Sequence, residues 1–426
     1  MAQAAAMAHI ADLAEYVATS PSSYHAAASA AKRLDAAGFV ALDETAEWHL
    51  NAGAYYVVRD GAVIAWVQPE SVTATSGFHI LGAHTDSPGF KLKPKPTTGS
   101  HGWWQAGVEV YGGPLLNSWL DRELVLAGRV VLRDGSVHLT QTEPLLRIPQ
   151  LAIHLDRQVN DGLTLDKQVH TNPIFGAGDL ADADILGELA AAAGVDAAQI
   201  AGYDVLTAPA QRGEVFGHGK NFFASSRLDN LSSVHAGLIA LIDYARKPHG
   251  SHIAMLAAFD HEELGSESRS GAAGPFLEEL IFRIQSSFNA TTDQTARALS
   301  NSVCLSADAG HAVHPNYPER HDPANRPQLN AGPLLKINAN QRYATDAIGA
   351  AAFAGWCEAA GVPYQEFVSN NRVPCGSTIG PLTATRIGIR TVDVGIPLLS
   401  MHSAREMCGV DDPWYLTKVS KEFFGA

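Results

Sequence analysis

Residues 253–266 read IAMLAAFDHEELGS, an unbroken apolar run followed directly by Asp-His-Glu-Glu. Residues 78–86, FHILGAHTD, repeat the arrangement, with a largely apolar run that leads into His84 and Asp86. Short apolar runs bounded by polar residues are typical of buried strands. In open α/β sheets, ligands bind beyond the carboxyl ends of such strands. The two stretches therefore predict an α/β sheet with chemically active groups along one edge.

The same pattern continues outward from these stretches. Further strand-like runs lie at Ser302–Leu305 and Thr391–Val394, and helical spacing is present at Asp229–Tyr244 and Asp346–Ala360. Two more helices are expected in the first forty residues, separated by the serine-proline break at Ser20–Ser23. Strands that alternate with helices predict an α/β fold.

A different character holds between residues 98 and 212. Segments such as Gly107–Tyr111 and Leu124–Leu132 are alternating or β-branched and are joined by glycine-rich turns. We therefore predict one α/β catalytic domain that is split in sequence, at residues 1–97 and 213–426. A β-rich assembly domain is inserted between them, at residues 98–212.

Composition limits the classes of partner. The chain of 426 residues is 46% hydrophobic and 17% charged, and 44 acidic residues against 30 Lys and Arg give a net charge of −14. This balance argues against binding to nucleic acid or to anionic membranes. The four cysteines form no C-x-x-C pair, and we expect free thiols in a reducing compartment. With neither a signal-peptide pattern nor a long apolar run, we expect a cytoplasmic protein and no membrane span.

Ligand-type residues gather in five short segments, which are HTD at 84–86, SRLDN at 226–230, DHEELGS at 260–266, SAD at 306–308 and MHS at 401–403. Taken singly, each has a structural interpretation; Asp229, for example, reads as a helix N-cap. Taken together, they offer one histidine and one carboxylate for each of two metal ions, a shared carboxylate and a spare glutamate. Two hydrolytic zinc ions need such a set.

Longer motifs around these segments point to a known family. They include GAHTDSPGFKLKP, SSRLDN, FDHEELGSES, SADAGHAVHPNY, GPLLKINANQRYATDA, PCGSTIGP and SMHSAREM. On these motifs the chain resembles the aspartyl aminopeptidase family, the M18 metallopeptidases, along nearly its whole length. The resemblance implies a phosphorylase/hydrolase-like two-zinc exopeptidase domain with a central mixed sheet, plus an inserted β-rich dimerisation domain.

The resemblance also implies a set of metal ligands. His84 and Asp308 would hold the first ion, and Glu263 and His402 would hold the second. Asp229 would bridge both ions. Zinc is the expected metal, with manganese or cobalt as alternatives because all three accept nitrogen and oxygen ligands.

Two further residues would serve the chemistry around these ions. Glu262 would be the general base that takes a proton from water and then, as an acid, gives it to the leaving amine. Asp86 would orient the His84 ring and raise its basicity. The resulting activity is the removal of single N-terminal residues, preferentially Asp or Glu, from peptides.

Three residues gain a role from the resemblance alone. Lys336 would sit in the pocket for the first substrate side chain, where a cation favours Asp or Glu, and Tyr343 would line that pocket. His154 would reach into the active site of a neighbouring subunit, since the family forms a tetrahedral dodecamer. Without the resemblance, Lys336 reads as a surface strand lysine and His154 as a strand histidine that faces solvent.

Two other functions stay open at this point. A two-metal aminopeptidase of neutral or broad specificity would keep every ligand and differ at the pocket of Lys336. A self-assembling scaffold that has lost catalysis should also have lost a ligand or the base. All five ligand positions and Glu262 carry the required residue types, which disfavours the scaffold.

Overall fold

Strands account for much of residues 2–426, the part of the chain that the computed structural model describes. Up to residue 212 they are β1 Val40–Ala41, β2 Gly53–Arg59, β3 Ala62–Gln68, β4 Phe78–His84, β5 Gly89–Ser100, β6 Trp103–Tyr111, β7 Glu123–Leu132, β8 Val137–Gln141, β9 Leu146–Arg147, β10 Ile174–Ala177 and β11 Ile200–Pro209. After residue 212 they are β12 Glu214–Phe216, β13 Phe222–Ser225, β14 Ile253–Phe259, β15 Val303–Ala307, β16 Gly310–His311, β17 Leu334–Ile337, β18 Gln365–Val368, β19 Arg390–Gly395, β20 Pro397–Leu398 and β21 Glu406–Gly409.

The α-helices of the described residues fall almost entirely outside the middle of the chain. They are α1 Ala2–Ala18, α2 Ser23–Ala36, α3 Ile185–Ala193, α4 Leu228–Ala245, α5 Phe276–Ser287, α6 Thr292–Ser300, α7 Ala347–Ala360, α8 Ile379–Ile387 and α9 Asp412–Gly425. The predicted break between the first two helices is confirmed, and Ser22 caps the second one by accepting from the His25 N–H. Helix α3 follows a short 3₁₀ turn at Leu180–Asp182.

A mixed nine-stranded sheet forms the centre of the fold, in the order β1-β2-β3-β14-β4-β15-β19-β17-β18. Strands β14, β4, β15 and β19 run parallel, while β3 and β17 run antiparallel to their neighbours in that group. This confirms the α/β class with a central mixed sheet. In the parallel register His84 lies opposite Phe259, so β4 and β14 end at the same edge.

The second sheet has seven strands in the order β11-β5-β6-β10-β9-β7-β8, and β11 also pairs with β7. That extra pairing curls the sheet toward a barrel. It is built from residues 89–209, so it starts earlier than the predicted insertion boundary at residue 98. The division into a catalytic and an inserted domain stays a prediction.

Both faces of the central sheet are covered by helices. One face packs its apolar side chains against α1, α2, α4, α7 and α9, and the other against α5. The second sheet has its own core, which includes Phe90, Trp119 and Leu126. In the described residues, no helix combines the length and apolar character that crossing a bilayer requires.

Candidate metal centre

The edge where the central strands end holds most of the predicted ligands. His84 is the last residue of β4, Asp308 follows β15 directly, and Glu262 and Glu263 lie in a turn just after β14. Because these strands are parallel neighbours, their carboxyl ends meet at one edge, as the sequence predicted. Asp229 and His402 reach the same place from the start of α4 and from the loop before β21.

Two groups of ligand atoms share one carboxylate. In the first group, His84 Nε2 lies 3.2 Å from Asp229 Oδ1 and 3.5 Å from Asp308 Oδ1. In the second, His402 Nε2 lies 3.4 Å from Asp229 Oδ2 and 3.4 Å from Glu263 Oε2. Each oxygen of Asp229 therefore faces a different histidine, and each group could hold a metal ion.

When a metal ion is bound, the two histidines would present the Nε2 lone pair to it, because their Nδ1 atoms are already engaged. His84 Nδ1 is 3.1 Å from the Asp86 carbonyl, and His402 Nδ1 is 3.0 Å from the Gly113 carbonyl. A carbonyl only accepts, so each Nδ1 carries the proton and donates it. In its neutral form each ring would direct an unprotonated Nε2 into the site, the form that metals bind.

The contact distances and chemistry fit divalent cations. Charge-assisted hydrogen bonds to carboxylates are about 2.7–2.9 Å long, shorter than the 3.2–3.5 Å separations between the two histidines and their carboxylate neighbours. Ligand atoms about 2.0–2.2 Å from a zinc ion stand roughly 3.4 Å apart at tetrahedral corners. Among the described residues, Asp229 Oδ1 and Glu263 Oε1 are buried and accept no hydrogen bond. The histidine nitrogens and carboxylate oxygens of each group are spaced so that a cation between them could bind to all of them at once.

The electrostatics of the protein alone point the same way. Burial opposes a charged ring at His402, but the Asp229 and Glu263 carboxylates outweigh it and raise the pKa of His402 to about 10. Burial, reinforced by Asp308 and Asp229, raises the pKa of Glu262 to about 8. Without metal, the excess negative charge favours the protonated forms of His402 and Glu262. Binding of divalent cations would release those protons.

Asp229 and His402 are both held by Glu406, a residue that the sequence analysis did not single out. Asp229 lies near the start of α4, but its side-chain oxygens face His84 and His402, so the interpretation as a simple N-cap is wrong. Its N–H donates to Glu406 Oε2 at 3.0 Å. The N–H of His402, a residue in the left-handed region with φ +65°, donates to Glu406 Oε1 at 2.8 Å. Only the position of Glu406, four residues after His402, could have indicated it.

Asp86 does more than orient His84. Its Oδ1 accepts from the N–H of Glu262 at 3.0 Å, and its Oδ2 accepts from the N–H of Glu263 at 3.2 Å. The Tyr111 hydroxyl also donates to Oδ2, at 2.9 Å. Asp86 thus fixes the turn that carries both glutamates.

Tyr111 belongs to the second sheet and begins a segment, residues 111–118, that we name the clasp. Within the clasp, Gly113 accepts from His402 Nδ1, Leu115 N–H donates to the His402 carbonyl, and Ser118 Oγ accepts from the Ala404 N–H. Sequence analysis assigned the clasp no role. The second sheet therefore contacts the His402 side of the centre directly.

Lys336 is buried, with only 1% of its surface exposed, so the surface-lysine interpretation is wrong. It lies in β17, and its Nζ donates to the carbonyl of Ala309, the residue after Asp308, at 2.7 Å. The Tyr343 ring centre is 5.3 Å from Nζ. Tyr343 and His311 both flank Phe367, so His311 lies near Lys336 as well.

His154 does not join the other site residues of its own chain. It lies in an exposed turn between β9 and β10, and not in a strand. The metal-type groups found among the described residues do not include it. Its neighbours Ile153 and Leu155 are exposed at 50% and 75%.

Comparison with known proteins identifies the family. The family described as aminopeptidase I zinc metalloprotease (M18) matches residues 16–424. The chain belongs to the M18 family of aminopeptidases. A probable M18 family aminopeptidase 2 from Streptomyces avermitilis is 54% identical over 412 residues, which cover 96% of this chain and 95% of the relative. A relative of the same description from Pseudomonas fluorescens is 43% identical over 425 residues, with 97% of each chain covered.

Solved structures of M18 proteins share the fold. The cryo-EM structure of the Ape4 and Nbr1 complex matches with a TM-score of 0.96 and 36% identity, over 99% of this chain and 86% of that chain. The S. cerevisiae mApe1 dodecamer matches with a TM-score of 0.87 and 30% identity, over 98% and 96%. This chain is thus an M18 aminopeptidase of a zinc metalloprotease family, and the residues around His84, Asp229 and Asp308 form groups that could hold a metal ion.

Proposed function

We propose that this M18 aminopeptidase uses two metal ions, zinc in the first instance, to remove N-terminal Asp or Glu from peptides. The observation that carries the proposal is the division of the Asp229 carboxylate between two half-sites. Its Oδ1 faces His84 and Asp308, while its Oδ2 faces His402 and Glu263. A carboxylate shared in this way is suited to bridging two ions about 3.5–4 Å apart.

Glu262 would carry the protons. It belongs to a group with His84 and Glu263 in which the ligand atoms lie within 4.8 Å of one another, and it is absent from the two groups that share Asp229. When bound, the ions would supply Lewis acidity that polarises the scissile carbonyl, acidifies the attacking water and holds the free α-amine. The Glu262 carboxylate would accept the proton from the water and give it to the leaving amine nitrogen.

The preference for acidic residues rests on Lys336. An ammonium group has three donors, and among the described residues the hydrogen-bond acceptor of Nζ is the Ala309 carbonyl alone. A buried charge without a counter-ion is costly. A substrate carboxylate near Tyr343 would neutralise Lys336 and accept its remaining donors. A neutral substrate side chain would leave the charge uncompensated.

The active form would be a homo-oligomer, with the tetrahedral dodecamer as the proposed assembly and residues 98–212 as the assembly domain. Support comes from the exposed apolar residues around His154, namely Leu151, Ile153 and Leu155, which a second subunit could cover. A related S. cerevisiae protein is described as a dodecamer. In such an assembly His154 would enter a neighbouring subunit's site.

The test is hydrolysis of aminoacyl chromogenic substrates (Asp, Glu, Leu, Ala, Lys) by the zinc-loaded wild type and by variants. Glu262→Gln should abolish cleavage of every substrate, while Glu267→Gln, on an exposed glutamate of the same loop, should not. Lys336→Met keeps the buried apolar stem and should remove the preference for Asp and Glu.

The outcomes separate the alternatives. Wild-type activity that favours Leu or Ala would leave the two-metal chemistry in place and reject the acidic pocket. No activity on any substrate, with two ions bound and the assembly intact, would favour the scaffold.

A further inference from the structure

Glu406 connects two proposed ligands that are far apart in sequence. It is the first residue of β21, and its side chain is buried. One oxygen accepts from the His402 N–H and the other from the Asp229 N–H, so both oxygens are committed to ligand backbones. Asp229 lies 177 residues before Glu406 in the chain. The relative position of the bridging carboxylate and His402 therefore depends on one side chain.

Within the protein the charge of Glu406 is offset in part through the buried guanidinium of Arg227, without a direct ion pair. Among residues 2–426, no Lys, Arg or His nitrogen forms an ion pair with it. Burying a carboxylate without a counter-ion is unfavourable. Two nearby dications would compensate that charge, because bound cations are the largest local charges in such sites.

We propose that Glu406 is a positioning residue that fixes the distance between Asp229 and His402 and so sets the affinity of the second ion. This inference rests on the two-metal function proposed above. The first half-site should depend on it less, because His84 and Asp308 come from β4 and β15 and are placed by the central sheet. The second half-site depends on His402, whose left-handed backbone sits in a loop.

The variant Glu406→Gln keeps the shape of the side chain and removes one acceptor. An amide has a single oxygen, so its NH₂ group would face either the Asp229 or the His402 N–H. Changes in the hydrogen-bonding partners of metal ligands typically lower metal affinity about 10- to 100-fold. We expect a loss of that size for one ion per chain, and little change for the other.

The measurement is metal content per chain after equilibration of the zinc-loaded full chain with increasing chelator, beside thermal unfolding of the same samples. Asp412→Asn is the matched control. Asp412 is also buried, and its Oδ2 likewise accepts two backbone N–H groups, from Asn330 and Gly409. It should leave both zinc affinities as in the wild type.

A second variant, Glu406→Asp, keeps the charge but shortens the side chain, so that it cannot reach both N–H groups. The same site-selective loss in Glu406→Asp would show that reach, and not charge alone, is responsible. If both ions weaken equally in both variants, if neither ion weakens, or if neither variant folds, the proposal is overturned. A wild type that binds fewer than two ions per chain would instead refute the two-metal function.

Discussion

Replacing Tyr111 with Phe tests whether the second sheet supports catalysis. The hydroxyl of Tyr111 donates to Asp86 Oδ2 at 2.9 Å, and the other donor to that oxygen, the Glu263 N–H, is at 3.2 Å. Burial favours a neutral Asp86, but donation from the His84 ring, Tyr111 and the Glu262 N–H outweighs burial and keeps its pKa below the usual range. Without the hydroxyl, an ionised Asp86 would hold the glutamate turn less firmly.

The size of the effect follows from the kind of bond that is lost. A hydrogen bond to a charged group contributes about 1.5–3 kcal/mol. If that energy serves to position Glu262 in the transition state, Tyr111→Phe should lower kcat roughly 10- to 150-fold. KM should change little, because Lys336 and Tyr343 are untouched. If the energy serves only folding, kcat should be unchanged and the free energy of unfolding should fall by the same amount.

The assay is steady-state kinetics on an Asp substrate, with zinc content and unfolding measured on the same preparations. Tyr203→Phe is the control, because Tyr203 lies in the same sheet and donates its hydroxyl to the Lys93 carbonyl instead. We expect kcat to fall for Tyr111→Phe and to be retained for Tyr203→Phe. Retained kcat in Tyr111→Phe together with a loss of stability would refute the positioning role.

Two further changes test other parts of the structure. Gly112 has φ +68°, and a Cβ there would lie 3.0 Å from the Glu263 Cβ. Gly112→Ala should therefore displace Glu263 and weaken zinc binding. The positive φ should in addition cost about 1–2 kcal/mol of backbone strain. Gly102→Ala, with φ +78° and no neighbour within 4 Å, should show the strain alone, and equal zinc affinity in both variants would contradict this account. Burial and the adjacent His252 lower the pKa of His79 from 6.5 to about 4, so its contribution to stability is complete above pH 6.5 and is lost as the pH falls toward 4. The unfolding free energy of the wild type should fall between pH 7.5 and pH 5, and in His79→Gln this fall should be about 2 kcal/mol smaller. An unchanged pH dependence in the variant would refute the assignment.

The strand ends were predictable because the signal is local. An apolar run of strand length followed by His or acidic residues fixes both the strand and the edge at which the polar groups emerge. For β14 the predicted and observed bounds agree, and His84, Glu263 and Asp308 lie where that reasoning expects them. Parallel pairing then brings them together without further information.

The supporting residues were not predictable from the same signal. Lys336 stands in a short strand whose sequence permits an exposed lysine, and its burial depends on the chain at residues 309–311 packing over it. Glu406 and Tyr111 act through single hydrogen bonds to residues that are distant in sequence. Such contacts depend on tertiary packing, which composition and periodicity do not encode.

The two half-sites differ in what holds them. His84 and Asp308 end or follow adjacent strands of the central sheet, so their separation is set by strand pairing. His402 lies in a loop that the clasp contacts at three points and that Glu406 ties to Asp229. Strand pairing is rigid, while a loop held by separate hydrogen bonds can be loosened one bond at a time. Any change transmitted through the second sheet, including contact with another subunit, should therefore reach the second ion before the first.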